Sequence, residues 1–241
     1  MELPILYEDA DVVAVAKPVG LLTHADGRSS AGTAEDWFKE KYGAEGGYVH
    51  RLDRDTSGVL IFAKNKAAYD FLRKAFHDKD VQKTYLAFTY GTPKEKQGVI
   101  DFDIGRSRRD FRLRSAQPKA KGRLRESLTR YEVIGEAEGT DKGSARGYAL
   151  LKVTPETGRT HQIRVHLKAI HHPIVGDSLY ATGFFKSEMK PLDISRLGLH
   201  AYMLDLPLPS GGRALVTAPI PDDLAPAFTH FPGADSKFAL R

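Results

Sequence analysis

Residues His50 to Lys64 read HRLDRDTSGVLIFAK, and the rest of the chain is best read outward from this run. Its second half, Val59 to Lys64, is apolar and β-branched, the composition of a short strand. The residues ahead of it, Asp53, Asp55, Thr56, Ser57 and Gly58, are turn formers. Two carboxylates, Asp53 and Asp55, therefore sit among His50, Arg51 and Arg54 on a loop that feeds a buried strand. A loop mounted on a rigid strand is a good support for a catalytic group. A plain structural turn, with Asp55 accepting backbone amides, is the competing account, and on these residues alone it is the commoner one.

Toward the N-terminus, Val12 to Lys17 (VVAVAK) is a second β-rich run, stopped by Pro18 and Gly20. Toward the C-terminus, Lys66 to His77 carries apolar residues at helical spacing (Tyr69, Leu72, Phe76), and Gln82 to Tyr90 alternates as a strand. Leu128 to Ile134 and Tyr148 to Val153 are further strands. Thr160 is expected to cap a helix with Ile163, Leu167 and Ile170 on its apolar side, ended by Pro173. Strands and helices interleave without strict βαβ alternation, which predicts an α+β fold with helices packed on a mixed sheet. We expect one domain over residues 1–231 and a flexible tail over 232–241.

The 241 residues carry 36 Lys+Arg and 31 Asp+Glu, a formal charge of +5, and no cysteine. Disulfides, thiolate metal sites and cysteine nucleophiles are thereby excluded. The N-terminal sequence has no signal-peptide pattern, and no apolar run approaches a membrane span, so a soluble, cytoplasmic protein is expected. Charge is unevenly spread. Residues 106–130 hold ten basic side chains (Arg106, Arg108, Arg109, Arg112, Arg114, Lys119, Lys121, Arg123, Arg125, Arg130) against Asp110 and Glu126, a local excess of eight. Such a run is either a solvated edge or a surface for a polyanion.

A second dense segment is Thr157 to Tyr180, TGRTHQIRVHLKAIHHPIVGDSLY. Arg159, His161, Gln162 and Arg164 cluster near the expected helix start, where free amides and the helix dipole favour an anion. Read plainly, Arg164 and Lys168 form a solvated helix face. Five histidines (161, 166, 171, 172 and 200) suggest a metal, but His161 and His166 are five apart, on different helix faces, and zinc motifs on helices use spacings of three or four. We expect no metal. Phosphate loops, dinucleotide fingerprints and nucleophile elbows are missing. Chemistry would have to run on carboxylates, Arg, His and Tyr.

HRLDRDTSGVLIFAK resembles the signature of the RluA family of pseudouridine synthases. VVAVAKPVGLLTH (Val12 to His24) resembles its K-P-x-G motif, KTYLAFTYG (Lys83 to Gly91) its K-x-Y strand, ETGRTHQIRVHL and HPIVGDSLY its third motif block, and LHAYMLDL (Leu199 to Leu206) its C-terminal segment. RDFRLRSAQPKAKGRLRESLTRYEV resembles the family's basic strand and loop region. The matches span nearly the whole chain and occur in family order.

The resemblance implies a single α+β catalytic domain around a bent mixed sheet flanked by helices and loops, without the additional S4-type RNA-binding domain that many relatives carry. It implies that Asp53 is the catalytic carboxylate, that Tyr85 packs against the target base, that Arg164 pairs with Asp53, and that Arg51 helps displace the nucleotide. His50, Arg159, His161 and Gln162 are expected around the substrate, and Asp55 is expected to be structural. The implied reaction isomerises uridines in ribosomal or transfer RNA by base flipping, needs no cofactor or metal, and is expected of a monomer. Two alternatives remain at this point: a catalytically silent RNA-binding protein of the same fold, and a carboxylate glycosidase, for which Asp53 and Asp55 lie too close to flank a sugar.

Overall fold

The computed structural model describes residues 1–25, 27, 32–108, 110, 113–139, 147–183 and 191–234. Along the chain run β1 (Ile5–Glu8), β2 (Val12–Lys17), α1 (Ala34–Tyr42), β3 (Gly47–Tyr48), β4 (Ser57–Ala63), α2 (Lys66–His77), β5 (Gln82–Tyr90), β6 (Gln97–Asp101), β7 (Ile104–Ser107), β8 (Arg114–Ala116), β9 (Ala120–Arg125), β10 (Leu128–Ala137), β11 (Tyr148–Pro155), α3 (Gln162–Ala169), β12 (Leu199–Pro207), β13 (Arg213–Thr217) and α4 (Ala225–Phe228). They form two compact units, Met1–Thr84 with His200–Pro219, and Tyr85–Leu199 with Ile220–Arg241. Of the expected tail, residues 235–241 lie outside the described residues.

In the first unit the strand order is β1-β2-β4-β12-β13, with β3 also on β4. β2 and β4 pair antiparallel from Val12↔Ala63 to Lys17↔Gly58, and β12 pairs with β4 in parallel, so the sheet is mixed. Every residue of β4 is buried, which explains its unbroken apolar sequence: with both faces covered there is no polar side to alternate with. Helix α2 starts at Asn65, whose side chain accepts the Ala68 amide (2.9 Å), and lays Ala68, Leu72 and Ala75 on Val12, Val59 and Ile61. Each Val, Leu or Ile buried in this way contributes about 1.5–3 kcal/mol. Helix α1 was not anticipated from the sequence. A capping box starts it: the Thr33 hydroxyl accepts the Asp36 amide, and the Asp36 carboxylate accepts the Thr33 amide.

The second unit holds an antiparallel sheet in the order β5-β11-β10-β6 and a separate three-stranded sheet, β8-β7-β9. Ile163 and Leu167 of α3 pack on Ala87, Leu151 and Val153 of the larger sheet, while Val165 joins Ile104 and Ala116 beneath the small one. The small sheet is the basic segment. Arg106, Lys121, Arg123 and Arg125 are exposed along it, and Arg109 and Arg112 lie outside the described residues.

Where β4 starts, Gly58 has φ +122°, and a Cβ built there would lie 2.1 Å from the Ala201 carbonyl oxygen of β12. Both partners are backbone, so no side-chain rotation relieves the clash. Gly58→Ala is therefore expected to cost about 3 kcal/mol or more of unfolding free energy in urea titration. A loss below about 1 kcal/mol would show that the β4–β12 approach is not a fixed constraint.

Candidate active site

Asp53 lies half-buried on the loop between β3 and β4, and the residues on either side of it are pinned. On one side, the Leu52 amide donates to the Thr23 hydroxyl (3.1 Å), which donates to the Leu52 carbonyl (2.9 Å). On the other, the Arg54 carbonyl accepts the Gly20 amide (2.9 Å) and the Lys17 ammonium (3.1 Å). Lys17 is 1% exposed, and its Nζ also donates to Leu21 (2.7 Å) and Pro18 (2.9 Å) carbonyls. An ammonium has three N–H bonds, and three carbonyls receive them. The Thr56 amide closes the turn on the Asp53 carbonyl (3.1 Å). Pro18 and Gly20, read in the sequence as strand breakers, thus turn the chain back so that residues 17–23 grip residues 52–54.

Asp55 meets the exposed Arg54 guanidinium (3.1 Å), not a backbone amide as the turn reading had it. Such an exposed pair contributes little. Arg51 is exposed. His50 is tied inward: its Nε2 accepts the Ile61 amide of β4 (3.1 Å) and its ring stacks on Phe76 (centroids 4.9 Å). An acceptor nitrogen requires the neutral ring. Burial, with the positive charge of Lys83 added, pushes His50 down to about 3. Lys83 is itself pushed down to about 8 by burial and by Lys79.

In the second unit, Tyr85 is half-buried on β5, opposite Val153 of β11. Helix α3 does not start at Thr160 as expected. His161 is its N-cap, in the left-handed region (φ 56°) and without a side-chain cap bond. The helix ends at Ile170, before the left-handed His171, so Pro173 is not what stops it. The Gln162 backbone amide donates to the Arg159 carbonyl (3.1 Å) and the Val165 amide to the His161 carbonyl (2.9 Å). Gln162, expected at the substrate, has its amide engaged inside the protein. Its Oε1 accepts the Thr157 hydroxyl (2.7 Å) and the Arg159 amide (2.9 Å), and its Nε2 donates to the Leu128 carbonyl (3.0 Å) and Thr129 Oγ1 (3.0 Å). Those are its four hydrogen-bonding positions. The chain continues from Thr129 to His166 Nδ1 (2.9 Å), and His166 Nε2 donates to the Phe102 carbonyl (2.9 Å). Burial holds His166 below the usual histidine value, partly opposed by that last bond.

Arg164 is buried, not on a solvated face. Its Nε and Nη2 each meet an oxygen of Asp177 at 2.8 Å, and both side chains are almost fully buried. This fork takes two of the five guanidinium N–H donors. Asp177 also accepts the amides of Leu179 and Tyr180 (3.0 Å each). Arg159 donates through Nε to the Glu126 carbonyl (3.0 Å), at the end of the basic sheet. Asp177 and Tyr180 were missed from the sequence. The signal available was G-D-S-L-Y: a glycine at positive φ (Gly176) followed by an aspartate placed to accept amides two and three residues on. Among the described residues no His, Asp and Glu side chains group so as to hold a metal ion.

The first unit thus carries a carboxylate on a pinned loop, and the second carries a buried arginine and a basic sheet. Comparison with known proteins adds the family. Residues 11–169 match the family model described as RNA pseudouridylate synthase. The RNA pseudouridine synthase YhcT of Bacillus subtilis is 34% identical, over 92% of this chain and 70% of its own. The tRNA pseudouridine synthase C of Haemophilus ducreyi is 35% identical, over 85% of both. Among solved structures, human RNA pseudouridylate synthase domain containing 1 is similar with a TM-score of 0.75, at 28% identity over 91% of this chain and 84% of that one. The chain belongs to the RNA pseudouridylate synthase family, and it is an RNA-modifying isomerase that forms pseudouridine.

The buried His50 makes a pH prediction. Unfolded, its ring takes up a proton near pH 6.5; folded, only near 3. Its folded pKa is depressed, so the stability it contributes is complete above 6.5 and is lost as pH falls toward 3, at up to about 1.4 kcal/mol per unit. Between pH 7 and 4.5, wild type should lose about 2–3 kcal/mol more than His50→Gln, whose amide oxygen can still accept the Ile61 amide. Urea titrations at both pH values measure this, and parallel losses would contradict the neutral buried ring.

Proposed function

We propose that Asp53 is the catalytic carboxylate, acting with Tyr85 and Arg164 on a uridine flipped out of structured RNA. The observation that carries this reading is the immobilised loop: Leu52 and Arg54 are both tied down, which holds the backbone that carries Asp53. Isomerisation breaks the bond from uracil N1 to C1′ of the sugar, turns the ring, and joins C5 to C1′. The C5 hydrogen leaves as a proton and N1 regains one, so no redox partner is consumed. An ionised carboxylate serves either as nucleophile or as base toward the sugar. The donors of Arg164 not used by Asp177 are the ones a pair with Asp53 would use, and the tyrosine ring offers a face for uracil.

A base within a helix is out of reach, so the nucleotide has to leave the stack, and the exposed Arg51 is suited to fill its place. The substrate we propose is transfer or ribosomal RNA; the relative named for tRNA supports the former. We place the reaction in the cytoplasm, with the enzyme acting as a monomer.

RNA labelled with tritium at uridine C5 tests the assignment. Asp53→Asn should release no tritium while binding RNA as wild type does. Release at the wild-type rate would remove Asp53 from the mechanism. A wild-type chain that binds RNA and releases nothing would be the silent binding protein.

The basic sheet gives an independent prediction. Replacing Lys121, Arg123 and Arg125 by glutamine should flatten the slope of log affinity against log salt, by about 0.7–0.9 for each phosphate no longer neutralised. An unchanged slope would return this sheet to being a solvated surface.

A further inference from the structure

Tyr180 was not anticipated, and the reaction as described so far does not use it. It is 1% exposed and meets five groups at once. Its hydroxyl accepts the backbone amide of Arg114, on β8 of the basic sheet (2.9 Å). The same hydroxyl lies 2.8 Å from Nδ1 of His161, the residue that starts α3. Its ring face lies under the Arg164 guanidinium (5.1 Å to the centroid) and near the Lys168 ammonium (5.5 Å). Its own amide donates to Asp177, the partner of Arg164 (3.0 Å). A phenol has one proton to give. With its oxygen accepting from Arg114, that proton is available to His161 Nδ1.

His161 supplies a second, independent observation. It is a non-glycine residue in left-handed backbone at a helix start, with no side-chain cap bond, a conformation that persists only where surroundings impose it. The Tyr180 contact is such an imposition, since it anchors the imidazole away from the helix.

We propose that Tyr180 is a positioning residue of the synthase site. Its hydroxyl, held between the Arg114 amide and the His161 ring, fixes the imidazole as the neutral Nε2–H tautomer, and its ring face holds the Arg164 guanidinium in plane. The packing beneath agrees: Tyr180 shares one apolar cluster with Ile104 and Ala116 of the basic sheet and with Val165 of α3. The strands that carry the basic side chains, the helix that carries Arg164, and the His161 ring are thereby set in one register. Nε2–H is a hydrogen-bond donor, which suits a phosphate or a base carbonyl. This rests on the reading that His161 and Arg164 serve the RNA substrate, and it assigns the residue that orients both.

The test uses the full-length chain and a tritium-labelled uridine RNA. Tyr180→Phe removes the hydroxyl and keeps the ring, so kcat should fall by between about tenfold and a hundredfold with KM little changed, the signature of misorientation. Tyr180→Leu, which also removes the ring face, should be worse than Tyr180→Phe. Nitrogen-15 NMR of labelled histidine should show His161 in wild type with Nδ1 unprotonated and Nε2 protonated, and a mixture of tautomers in Tyr180→Phe. A wild-type His161 with its proton on Nδ1, or a Tyr180→Phe enzyme with unchanged kcat and unchanged tautomer, would overturn the proposal. The NMR signal does not depend on turnover. If His161→Ala and Arg164→Met both kept full activity, the site reading would fail on its own, separately from the tautomer.

Discussion

A buried ammonium has to place three N–H bonds, and for Lys17 only backbone carbonyls receive the bonds described: those of Pro18, Leu21 and Arg54. Much of the first unit depends on this constraint. A charge almost out of water is tolerated only when its donors are filled. The strand β2 delivers Lys17 at its last position, paired with Gly58 at the start of β4, so the ammonium emerges beside the loop it holds. The turn at Pro18 to Gly20 then folds back over it, and Thr23 closes on Leu52. Movement of the loop with Asp53 would break hydrogen bonds to a buried cation, which are among the stronger ones in a protein. The backbone on either side of the half-buried Asp53 is held in this way.

The second unit secures its groups by the same physics with different residues. Gln162 and Arg164 sit two apart at the start of α3, and each is fixed by a network of short, directional bonds. Gln162 binds the helix to β10 through Leu128 and Thr129; Arg164 is forked onto Asp177. Breaking a buried pair such as Arg164–Asp177 by removing one partner costs about 3–5 kcal/mol, because a charge is then left uncompensated. Arginine is suited to this position because its planar fork meets both oxygens of one carboxylate.

How much of this the sequence disclosed follows from the range of the interactions. Strands β2 and β5 and helix α2 were legible to the residue, since local periodicity and a turn-forming flank determine them. Asp53 stood out for the same reason, as a carboxylate in a turn before an apolar strand. Helix α1 was legible in principle from Thr33 and Asp36, the two ends of a capping box, but short and weakly periodic segments give little signal. The start of α3 was misplaced because Thr160 satisfies the local rule for a cap, while the structure puts His161 at the N-cap in left-handed backbone, without a side-chain cap bond. Nothing local marks Asp177 or Tyr180 as partners of residues 13 to 66 positions away. Gln162 is expected at the substrate because it clusters with Arg159, His161 and Arg164 at a helix start, where free amides favour an anion. Its four partners come from two separate segments, 128–129 and 157–159, which only the folded chain brings together.

If Lys17 makes the Asp53 loop rigid, and if this rigidity is what catalysis requires, then one substitution tests both. Tritium release by Lys17→Met, measured under conditions where the variant is folded by circular dichroism, tests them directly. The expected kcat is lower by about a hundredfold, with RNA affinity close to wild type, because a carboxylate displaced by an ångström reacts poorly while the basic sheet still binds. A folded Lys17→Met enzyme that turns over at the wild-type rate would contradict the central role given to this ammonium.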